Sequence, residues 1–421
     1  MRRLHLIAII LFTALIARGA DPTDTNYGFT ECEGSAMPYP APEELAALPD
    51  SLTAIFVNHV GRHGARFLSS PKNVVELLRV LNEADSARSL SPKGKEMKAL
   101  AEFVMENSRN RWGALDSLGM AEQRGIASRM FRAYGQLFNE GKVNAISSYA
   151  PRCVMSMYEF THQLDRLNNH QEIYTSAGRQ NSPLMRPFDV DSEFVDWMKS
   201  DAWKAPYEMQ FATMMPSAPA RKLFAGEFGN ALTAERAQEI TSWMFHILQG
   251  LPAMGLADRM ESYFTRSEAN AAWSCTNLRH YLQRSATTLS TLPAEIAAPL
   301  LVELVTTADK AAEGDQPYCA MLRFGHAETL MPLLSLMRLK GCYYMTNYFD
   351  TAALHWRDFD IVPMAANLQM VLARTKGGKV YVRFDLNERP VPLLPNSDAV
   401  YIPWQTAREY LLRCVPLHLR P

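Results

Sequence analysis

Residues 59–66 read HVGRHGAR, and this short segment holds two histidines and two arginines. A neutral imidazole can attack phosphorus, and a guanidinium can neutralise phosphoryl oxygens with its forked donors. Gly64 follows His63 and lets the backbone come close to a bound anion. The segment therefore predicts phosphoryl transfer, with His63 as the nucleophile and with Arg62 and Arg66 as phosphate ligands.

Two other interpretations of this segment stay open on the residues alone. His59 and His63 are four residues apart, a spacing that on a helix supplies half of a zinc site. The β-branched residues before them and the two glycines argue against a helix. The segment could also be a basic surface loop that binds nothing.

Two more segments place polar residues of matching chemistry just after predicted strands. Arg152 follows the strand 143–149, and His326 and Glu328 follow the strand 318–324. Taken singly, Arg152 is typical of a solvated loop and His326 of a satisfied core residue. As a set they fit one reaction, in which Arg152 and His326 hold the phosphate and Glu328 donates a proton to the leaving group.

Four apolar, β-rich runs must position these segments. They are short, apolar on both faces and separated by helical periodicity, which favours an α/β fold with a mostly parallel sheet flanked by helices. Ligands of such sheets bind beyond the carboxyl ends of the strands, where the candidate residues lie. The predicted strands cover residues 52–59, 143–149, 318–324 and 379–386.

Helical periodicity dominates the long stretch between the second and third predicted strands. We therefore predict an inserted α-helical domain over residues 166–310. The α/β catalytic domain then consists of residues 21–165 together with residues 311–421.

Composition and charge exclude several classes of protein. The chain has 421 residues, of which 48% are hydrophobic, and this allows a sizeable core and excludes disorder as the main state. The 43 basic and 44 acidic side chains nearly balance, which argues against a surface built to hold nucleic acid. An anionic ligand must therefore be bound by a local cluster of charges.

Residues 1–20 have the layout of a secretory signal peptide. Arg2 and Arg3 precede an apolar run over residues 6–16, and small residues follow it. The run is shorter than the roughly 20 apolar residues that cross a bilayer. We therefore predict an exported protein, periplasmic or secreted, without a membrane span in the mature chain. The six cysteines of such a protein could pair or could remain buried thiols.

The motifs around the candidate residues resemble those of the histidine phosphatase superfamily. Residues 62–66 look like its R-H-G-x-R signature, and residues 326–328 look like the H-A-E variant carried by multiple inositol polyphosphate phosphatases. Leu68 and Asp116 depart from the family pattern at supporting positions. Further segments similar to family motifs are 115–123 (LDSLGMAEQ), 151–156 (PRCVMS), 183–189 (PLMRPFD) and 387–390 (NERP).

The resemblance implies a role for six residues. His63 would be the nucleophile and Glu328 the proton donor, and the phosphate ligands would be Arg62, Arg66, Arg152 and His326. It also implies an α/β domain with an α-helical insertion, and hydrolysis that needs no metal or other cofactor.

The resulting hypothesis is an exported phosphomonoesterase that hydrolyses inositol polyphosphates, such as phytate, through a phosphohistidine intermediate. Its partner would be a small polyanionic substrate. A broad acid phosphatase or a sugar-phosphate phosphatase is an alternative of the same class. A phosphate-binding protein without catalysis is an alternative of another class, although binding alone needs neither a nucleophile nor an acid.

Overall fold

The computed structural model of the protein describes residues 25–420. The predicted signal peptide, residues 1–20, lies outside the described residues. Across residues 25–420, no helix combines the length and the hydropathy needed to cross a membrane.

A single mixed sheet forms the centre of the described part of the chain. Its strands run in the order β3-β2-β4-β1-β5-β6-β7, and β8 pairs with β6. The strands are β1 (Leu52–Arg62), β2 (Lys142–Ser147), β3 (Ile173–Ala177), β4 (Tyr318–Gly325), β5 (Asn367–Thr375), β6 (Val380–Leu386), β7 (Arg389–Val391) and β8 (Ile402–Pro403).

The predicted α/β class with a sheet between helices is confirmed, and the sheet is mixed, with parallel pairing on one side of β1 and antiparallel pairing on the other. Strands β3, β2, β4 and β1 are parallel, whereas the pairs β1–β5, β5–β6, β6–β7 and β6–β8 are antiparallel. The fourth predicted run is β6, which runs in the same direction as β1 but pairs antiparallel with each of its neighbours β5, β7 and β8. Only residues 376–379 connect β5 to β6, and a parallel pair needs a crossover of a dozen or more residues.

Helices cover both faces of this sheet and also pack with one another in a third core. They are α1 (Lys72–Ser86), α2 (Pro92–Asn107), α3 (Ser117–Glu140), α4 (Pro151–Leu167), α5 (Ser182–Met185), α6 (Pro187–Val190), α7 (Ser192–Lys199), α8 (Asp201–Met214), α9 (Ala218–Arg221), α10 (Gly226–Asn230), α11 (Ala234–Gln249), α12 (Arg266–Arg284), α13 (Leu292–Glu295), α14 (Ala298–Glu313), α15 (Ala327–Leu336), α16 (Ala352–His355), α17 (Asp358–Ile361) and α18 (Trp404–Cys414).

The alternation of side chains along β1 divides the core between the two faces of the sheet. Phe56 and Val60 pack into a cluster with residues of α14, α15 and α18. Val57 points to the opposite face and packs with residues of α3 and α4. Neighbouring residues of a strand face opposite sides, so one apolar run serves both layers.

A third core joins helices from two distant parts of the sequence. Leu77 of α1 and Met97 of α2 share it with Met244 of α11 and Trp273 of α12. The predicted inserted domain, residues 166–310, therefore packs against α1 and α2, which precede it in the chain. That range also contains β3, which pairs with β2 in the central sheet.

All six cysteines lie within the described residues and are free thiols. Five of them are buried, and Cys414 is partly buried. The sequence left open whether the cysteines pair as disulfides or remain buried thiols, and the structure contains thiols.

Candidate active site

His63 follows directly on β1, and its backbone is fixed by two neighbouring segments. Its N–H donates to the carbonyl of Gly325 over 3.1 Å, and its own carbonyl accepts from the N–H of Ala365 over 3.0 Å. The ring atom Nδ1 lies 2.9 Å from the carbonyl oxygen of Gly64. A carbonyl oxygen can only accept, so Nδ1 carries the hydrogen and Nε2 keeps its lone pair.

Gly64 is the residue at which this loop touches helix α3. A Cβ at Gly64 would lie 2.3 Å from the carbonyl oxygen of Gly119, and a Cβ at Gly119 would lie 2.2 Å from the carbonyl oxygen of Ala65. The two glycines therefore permit a backbone contact that any side chain would block. The N–H of Gly64 also donates to Oγ of Ser156 in α4 over 3.1 Å.

The first two turns of α3 hold the loop in place. The Asp116 carboxylate caps the helix by accepting from the N–H of Leu118 over 2.9 Å, which is a role that a threonine can also fill. Gln123 donates from Nε2 to the carbonyl of Arg62 over 3.0 Å. The family-like segment 115–123 thus supports the backbone of the loop formed by residues 62–66.

Glu122 binds the same loop with its side chain. Its carboxylate accepts from the N–H of Ala65 over 2.7 Å and from the N–H of Tyr39 over 2.8 Å. Burial raises the pKa of Glu122 to about 7, although the two backbone donors and the nearby Arg62 favour the charged form. Glu122 therefore ties the N-terminal segment to the loop. It was not predicted as a site residue, although it lies in the family-like segment 115–123, which was a usable signal.

Arg62 is buried at the carboxyl end of β1 and is oriented by two carbonyl groups. Its Nη1 donates to the carbonyls of Ser35 and Val362, each over 2.5 Å. Its Nε is buried and has no hydrogen-bond partner among the described residues. Burial lowers the pKa of Arg62 to about 10, which reflects the cost of a cation in this enclosed place.

Arg66 and Arg152 add two further cations beside Arg62. Burial, followed by the charges of Arg62 and Arg152, lowers the pKa of Arg66 to about 9. The Nε atoms of Arg66 and Arg152 are also buried without a partner in the described part of the chain. A bound anion would offset the repulsion among the three guanidinium groups and would satisfy these donors.

His326 lies among the same cations. Its Nδ1 is 3.3 Å from Nη2 of Arg152, and its Nε2 is 2.6 Å from Nη1 of Arg186 and 2.9 Å from Oγ of Ser148. Burial lowers the pKa of His326 to about 3, and the arginines act in the same direction. The ring centroids of His63 and His326 are 5.7 Å apart, so the two imidazoles are neighbours.

Glu328 lies in the first turn of α15, two residues after His326. Burial by itself would raise its pKa, but the charges of Arg284 and Arg62 and a backbone hydrogen bond outweigh burial and hold the pKa of Glu328 well below its usual range. Without a ligand this side chain is therefore a carboxylate. A proton donor at this position needs the negative charge of a bound phosphate to shift its pKa upward.

All six candidate residues are thereby brought together at the carboxyl ends of β1, β2 and β4. Arg62, Arg66 and Glu328 line a cavity of about 230 Å³, and His63, Arg152 and His326 are joined to them by the contacts above. A larger groove of about 670 Å³ lies elsewhere, between residues 44–54 and α3, and is lined by no histidine. The candidate site is therefore the smaller cavity.

Two further arginines belong to this centre and were not predicted as site residues. Arg186 contacts His326 and is paired with Asp189 over 2.6 Å. Arg284 has the largest effect among the nearby charges that lower the pKa of Glu328. Arg186 lies in the family-like segment 183–189, which was a usable signal, whereas no motif contains Arg284.

The zinc interpretation of His59 and His63 does not fit the structure. His59 lies within β1, and its ring packs against Phe160 and Phe324 with centroid distances of 5.3 Å. Burial lowers the pKa of His59 to about 3. Within residues 25–420, no group of three or more His, Cys, Asp or Glu side chains is placed to hold a metal ion.

Comparison with known proteins agrees with the geometry. A family model described as histidine phosphatase superfamily (branch 2) matches residues 54–387. The human multiple inositol polyphosphate phosphatase 1 is 26% identical over 400 residues, which cover 87% of this chain and 80% of the human protein.

Two solved structures have a similar fold. The multiple inositol polyphosphate phosphatase of Bifidobacterium longum, in complex with inositol hexasulfate, has a TM-score of 0.78 at 18% identity. The match covers 92% of this chain and 99% of that one. The phytase from D. castellii has a TM-score of 0.67 at 15% identity, with 92% of this chain and 86% of that chain covered.

Proposed function

The chain belongs to branch 2 of the histidine phosphatase superfamily and is a phosphatase, and from this premise we propose that it hydrolyses inositol polyphosphates through a phosphohistidine at His63. The observation that carries the proposal is the ring of His63, whose Nδ1 is bound to the Gly64 carbonyl while Nε2 remains available beside unpartnered arginine donors. Phytate, inositol hexakisphosphate, is the main substrate that we propose.

In the first half of the reaction, Nε2 of His63 forms a bond to phosphorus and the bond from phosphorus to the inositol oxygen breaks. Arg62, Arg66, Arg152 and His326 hold the phosphoryl oxygens as negative charge accumulates. Glu328, protonated in the substrate complex, gives its proton to the leaving oxygen, which departs as an alcohol.

In the second half, water attacks the phosphorus of phosphohistidine. The Glu328 carboxylate left by the first half accepts a proton from that water, and the bond from phosphorus to Nε2 breaks. Inorganic phosphate is released and His63 returns to its neutral form. One phosphomonoester and one water therefore become one alcohol and one phosphate.

The substrate class is supported by the surplus of positive charge around the centre. Arg186 and Arg284 lie beside the three arginines of the predicted set; with Arg186 paired to Asp189 and Glu328 protonated in the substrate complex, four positive charges remain, which one phosphate dianion does not offset. An inositol ring that bears several phosphates can offset this positive charge. The named specificity of the human relative and the inositol hexasulfate in the Bifidobacterium longum complex point the same way.

The test is hydrolysis of inositol hexakisphosphate by the purified chain, with separation of the product isomers. We expect kcat/KM on this substrate to exceed that on glycerol 2-phosphate and on glucose 6-phosphate by at least about tenfold. Equal values would replace the proposal with a phosphatase of broad specificity. The His63→Ala variant serves as the control for contaminating phosphatases.

We further propose that the protein is exported and acts in the periplasm or outside the cell, because residues 1–20 combine a basic start, an apolar run and small residues. Mass spectrometry of the protein recovered from the periplasm or medium tests this proposal. We expect a chain that has lost about the first 20 residues, whereas an intact cytoplasmic chain would contradict export.

A further inference from the structure

Two buried serines follow one another at the carboxyl end of β2 and have different partners. Both Ser147 and Ser148 are 0% exposed. Oγ of Ser147 donates to the backbone carbonyl of Ser148 over 3.0 Å, whereas Oγ of Ser148 lies 2.9 Å from Nε2 of His326. Ser148 therefore contacts a residue of the candidate site, although no segment that resembles a family motif contains it.

The backbone on both sides of the sheet edge fixes the position of Ser148. Its N–H donates over 2.9 Å to the carbonyl of Phe324, which lies in β4 two positions before His326. Its Oγ accepts over 3.1 Å from the N–H of Ala150, the residue directly before α4. The hydroxyl is thus held beside the imidazole by β2, β4 and the start of α4.

Charged groups surround the imidazole of His326. Burial lowers the pKa of His326 to about 3; Glu328 opposes this shift, and Arg152, Arg186 and Arg62 add to it. A bound anion supplies the negative charge that favours protonation of the ring. The titratable and charged groups that face the ring are Arg62, His63, Arg152, Cys153, Arg186 and Glu328.

An imidazolium at His326 needs an acceptor at each nitrogen. Nδ1 faces Arg152, a phosphate ligand of the proposed mechanism, so a phosphate oxygen accepts there. At Nε2, Arg186 can only donate, and the thiol of Cys153, 3.5 Å away, is a weak acceptor. Among residues 25–420, the hydroxyl of Ser148 is therefore the suitable acceptor for Nε2–H.

A hydroxyl can pair with either protonation state of the same nitrogen. Oγ of Ser148 has one hydrogen and two lone pairs, and the N–H of Ala150 occupies one lone pair. When the ring of His326 is neutral, the hydrogen of the hydroxyl points at Nε2. When the ring is protonated, the hydroxyl rotates and its second lone pair accepts from Nε2–H. This charge-assisted hydrogen bond is stronger than one between neutral groups, so it favours the imidazolium.

Protonation of Nε2 also changes the contact with Arg186. Two cationic donors cannot face each other at 2.6 Å, so Nη1 of Arg186 turns away from His326. Nε of Arg186 is paired with Asp189 over 2.6 Å and can keep that partner. Ser148 then remains as the partner of Nε2.

We propose that Ser148 is a positioning residue, which accepts Nε2–H of His326 in the substrate complex and thereby lets His326 bind the transferred phosphate as an imidazolium. The inference rests on the proposed function, because it requires His326 to hold the transferred phosphate. The proton comes from solvent when the substrate binds and returns to solvent when phosphate leaves, so the balance of the hydrolysis is unchanged.

The test counts the protons that are taken up when inositol hexasulfate binds, by calorimetry at pH 5.5 in two buffers of different ionisation enthalpy. We expect Ser148→Ala to take up fewer protons than the parent. Its dissociation constant should rise about tenfold or more, in line with the loss of one charge-assisted hydrogen bond. Ser147→Ala removes an equally buried hydroxyl one residue away and is the matched control, with the proton count and the affinity of the parent.

The proton count distinguishes this role from a purely structural one. If Ser148 only supported the end of β2, Ser148→Ala would bind more weakly but would take up as many protons as the parent, and that result would overturn the inference. Ser148→Cys covers the case in which alanine disturbs the packing, because the thiol fills a similar volume but is a weak acceptor. We expect it to take up fewer protons as well, and full uptake in this variant would also overturn the inference.

Hydrolysis of two substrates tests whether Ser148 acts on the transferred phosphate. Every phosphate ester places that phosphate beside His326. The kcat/KM of Ser148→Ala should therefore fall about tenfold or more, by similar factors on inositol hexakisphosphate and on p-nitrophenyl phosphate, which has one phosphate. A fall confined to inositol hexakisphosphate would overturn the inference, since Ser148 would then act on another part of the substrate.

The calorimetric result separates failure of this inference from failure of the proposed function, because inositol hexasulfate is not a phosphate ester and binding needs no turnover. A parent whose proton uptake depends on Ser148 but which leaves phytate intact would refute the proposed function and keep the role of Ser148. A parent that hydrolyses phytate, with a proton uptake that Ser148→Ala does not change, would do the reverse.

Discussion

Nη1 of Arg186 lies 2.6 Å from Nε2 of His326, and a guanidinium can only donate. His326 must therefore present a lone pair at Nε2, although the proposed role of this histidine is to donate to a phosphate oxygen. Without a ligand, the imidazole is thus neutral, and Glu328 beside it is ionised. An anion in the site would favour the protonated form of both groups.

The first prediction is that binding of a polyanion takes up protons. Sulfate esters do not titrate near neutral pH. Any protons taken up when inositol hexasulfate binds must therefore be bound by side chains of the protein. We expect calorimetry at pH 5.5 in two buffers of different ionisation enthalpy to report uptake. The Glu328→Gln variant should take up fewer protons, and no uptake by the parent would contradict the proposed charge states.

The second prediction concerns the nucleophile. His63→Ala should reduce kcat more than a thousandfold, equivalent to ~4 kcal/mol, because no other group can form the covalent intermediate. The circular dichroism spectrum should stay that of the parent. Quenching the parent during turnover without acid should trap a phosphohistidine at residue 63, and a variant that kept a larger share of kcat would exclude the covalent role.

The third prediction concerns the proton donor. Glu328→Gln keeps the size of the side chain but removes its proton, and we expect a loss of about 10²- to 10⁴-fold in kcat on phytate. On p-nitrophenyl phosphate the loss should be clearly smaller, because the leaving phenolate delocalises its charge. The parent's kcat on phytate should fall as pH rises, since only the protonated carboxyl can donate. Equal losses on both substrates would assign Glu328 another task, such as orienting His63.

The fourth prediction concerns metals. Arginines and a histidine supply the positive charge that a two-metal site would otherwise supply, so hydrolysis should survive dialysis against EDTA. The measurement is kcat/KM before and after dialysis, with added zinc as the control. Loss of activity that zinc restores would require metal ligands in the site.

The fifth prediction concerns Glu122 and the pH dependence of stability. The pKa of Glu122 is raised to about 7 in the folded protein, mainly by burial, whereas the unfolded chain ionises near the ordinary value of about 4.3. Between these two values the unfolded chain loses a proton that the folded protein keeps, so this group stabilises the fold at low pH and its contribution falls as pH rises.

We therefore expect Glu122→Gln to reduce the loss of unfolding free energy between pH 5 and pH 8, as measured by urea denaturation. Glu83→Gln is the control, because it alters a side chain on α1 that is 54% exposed. Its unfolding free energy should depend on pH as that of the parent does. If the unfolding free energy of Glu122→Gln depended on pH as that of the parent does, a group other than Glu122 would cause the loss of stability.

The sequence alone determined the fold class and the identities of the six candidate residues. His63, Arg62 and Arg66 lie in one short segment, so their proximity is a local property of the chain. Arg152, His326 and Glu328 follow strands whose carboxyl ends meet at one edge of a parallel sheet, so the topology brings them together without knowledge of the packing. Their roles in the reaction remain predictions.

Only the tertiary structure decided the surroundings that set the charge of these groups. Arg186 and His326 are 140 positions apart, and Ser148 and His326 are 178 positions apart. No period or motif encodes such pairs, because the packing of helices on the sheet fixes which side chains face one another. The strand β5 was missed for a related reason, since its partner β1 is distant in sequence and its apolar residues are equally compatible with a buried helix. Local patterns specify secondary structure, whereas the electrostatic environment of a buried group depends on contacts between segments that the chain brings together only when it folds.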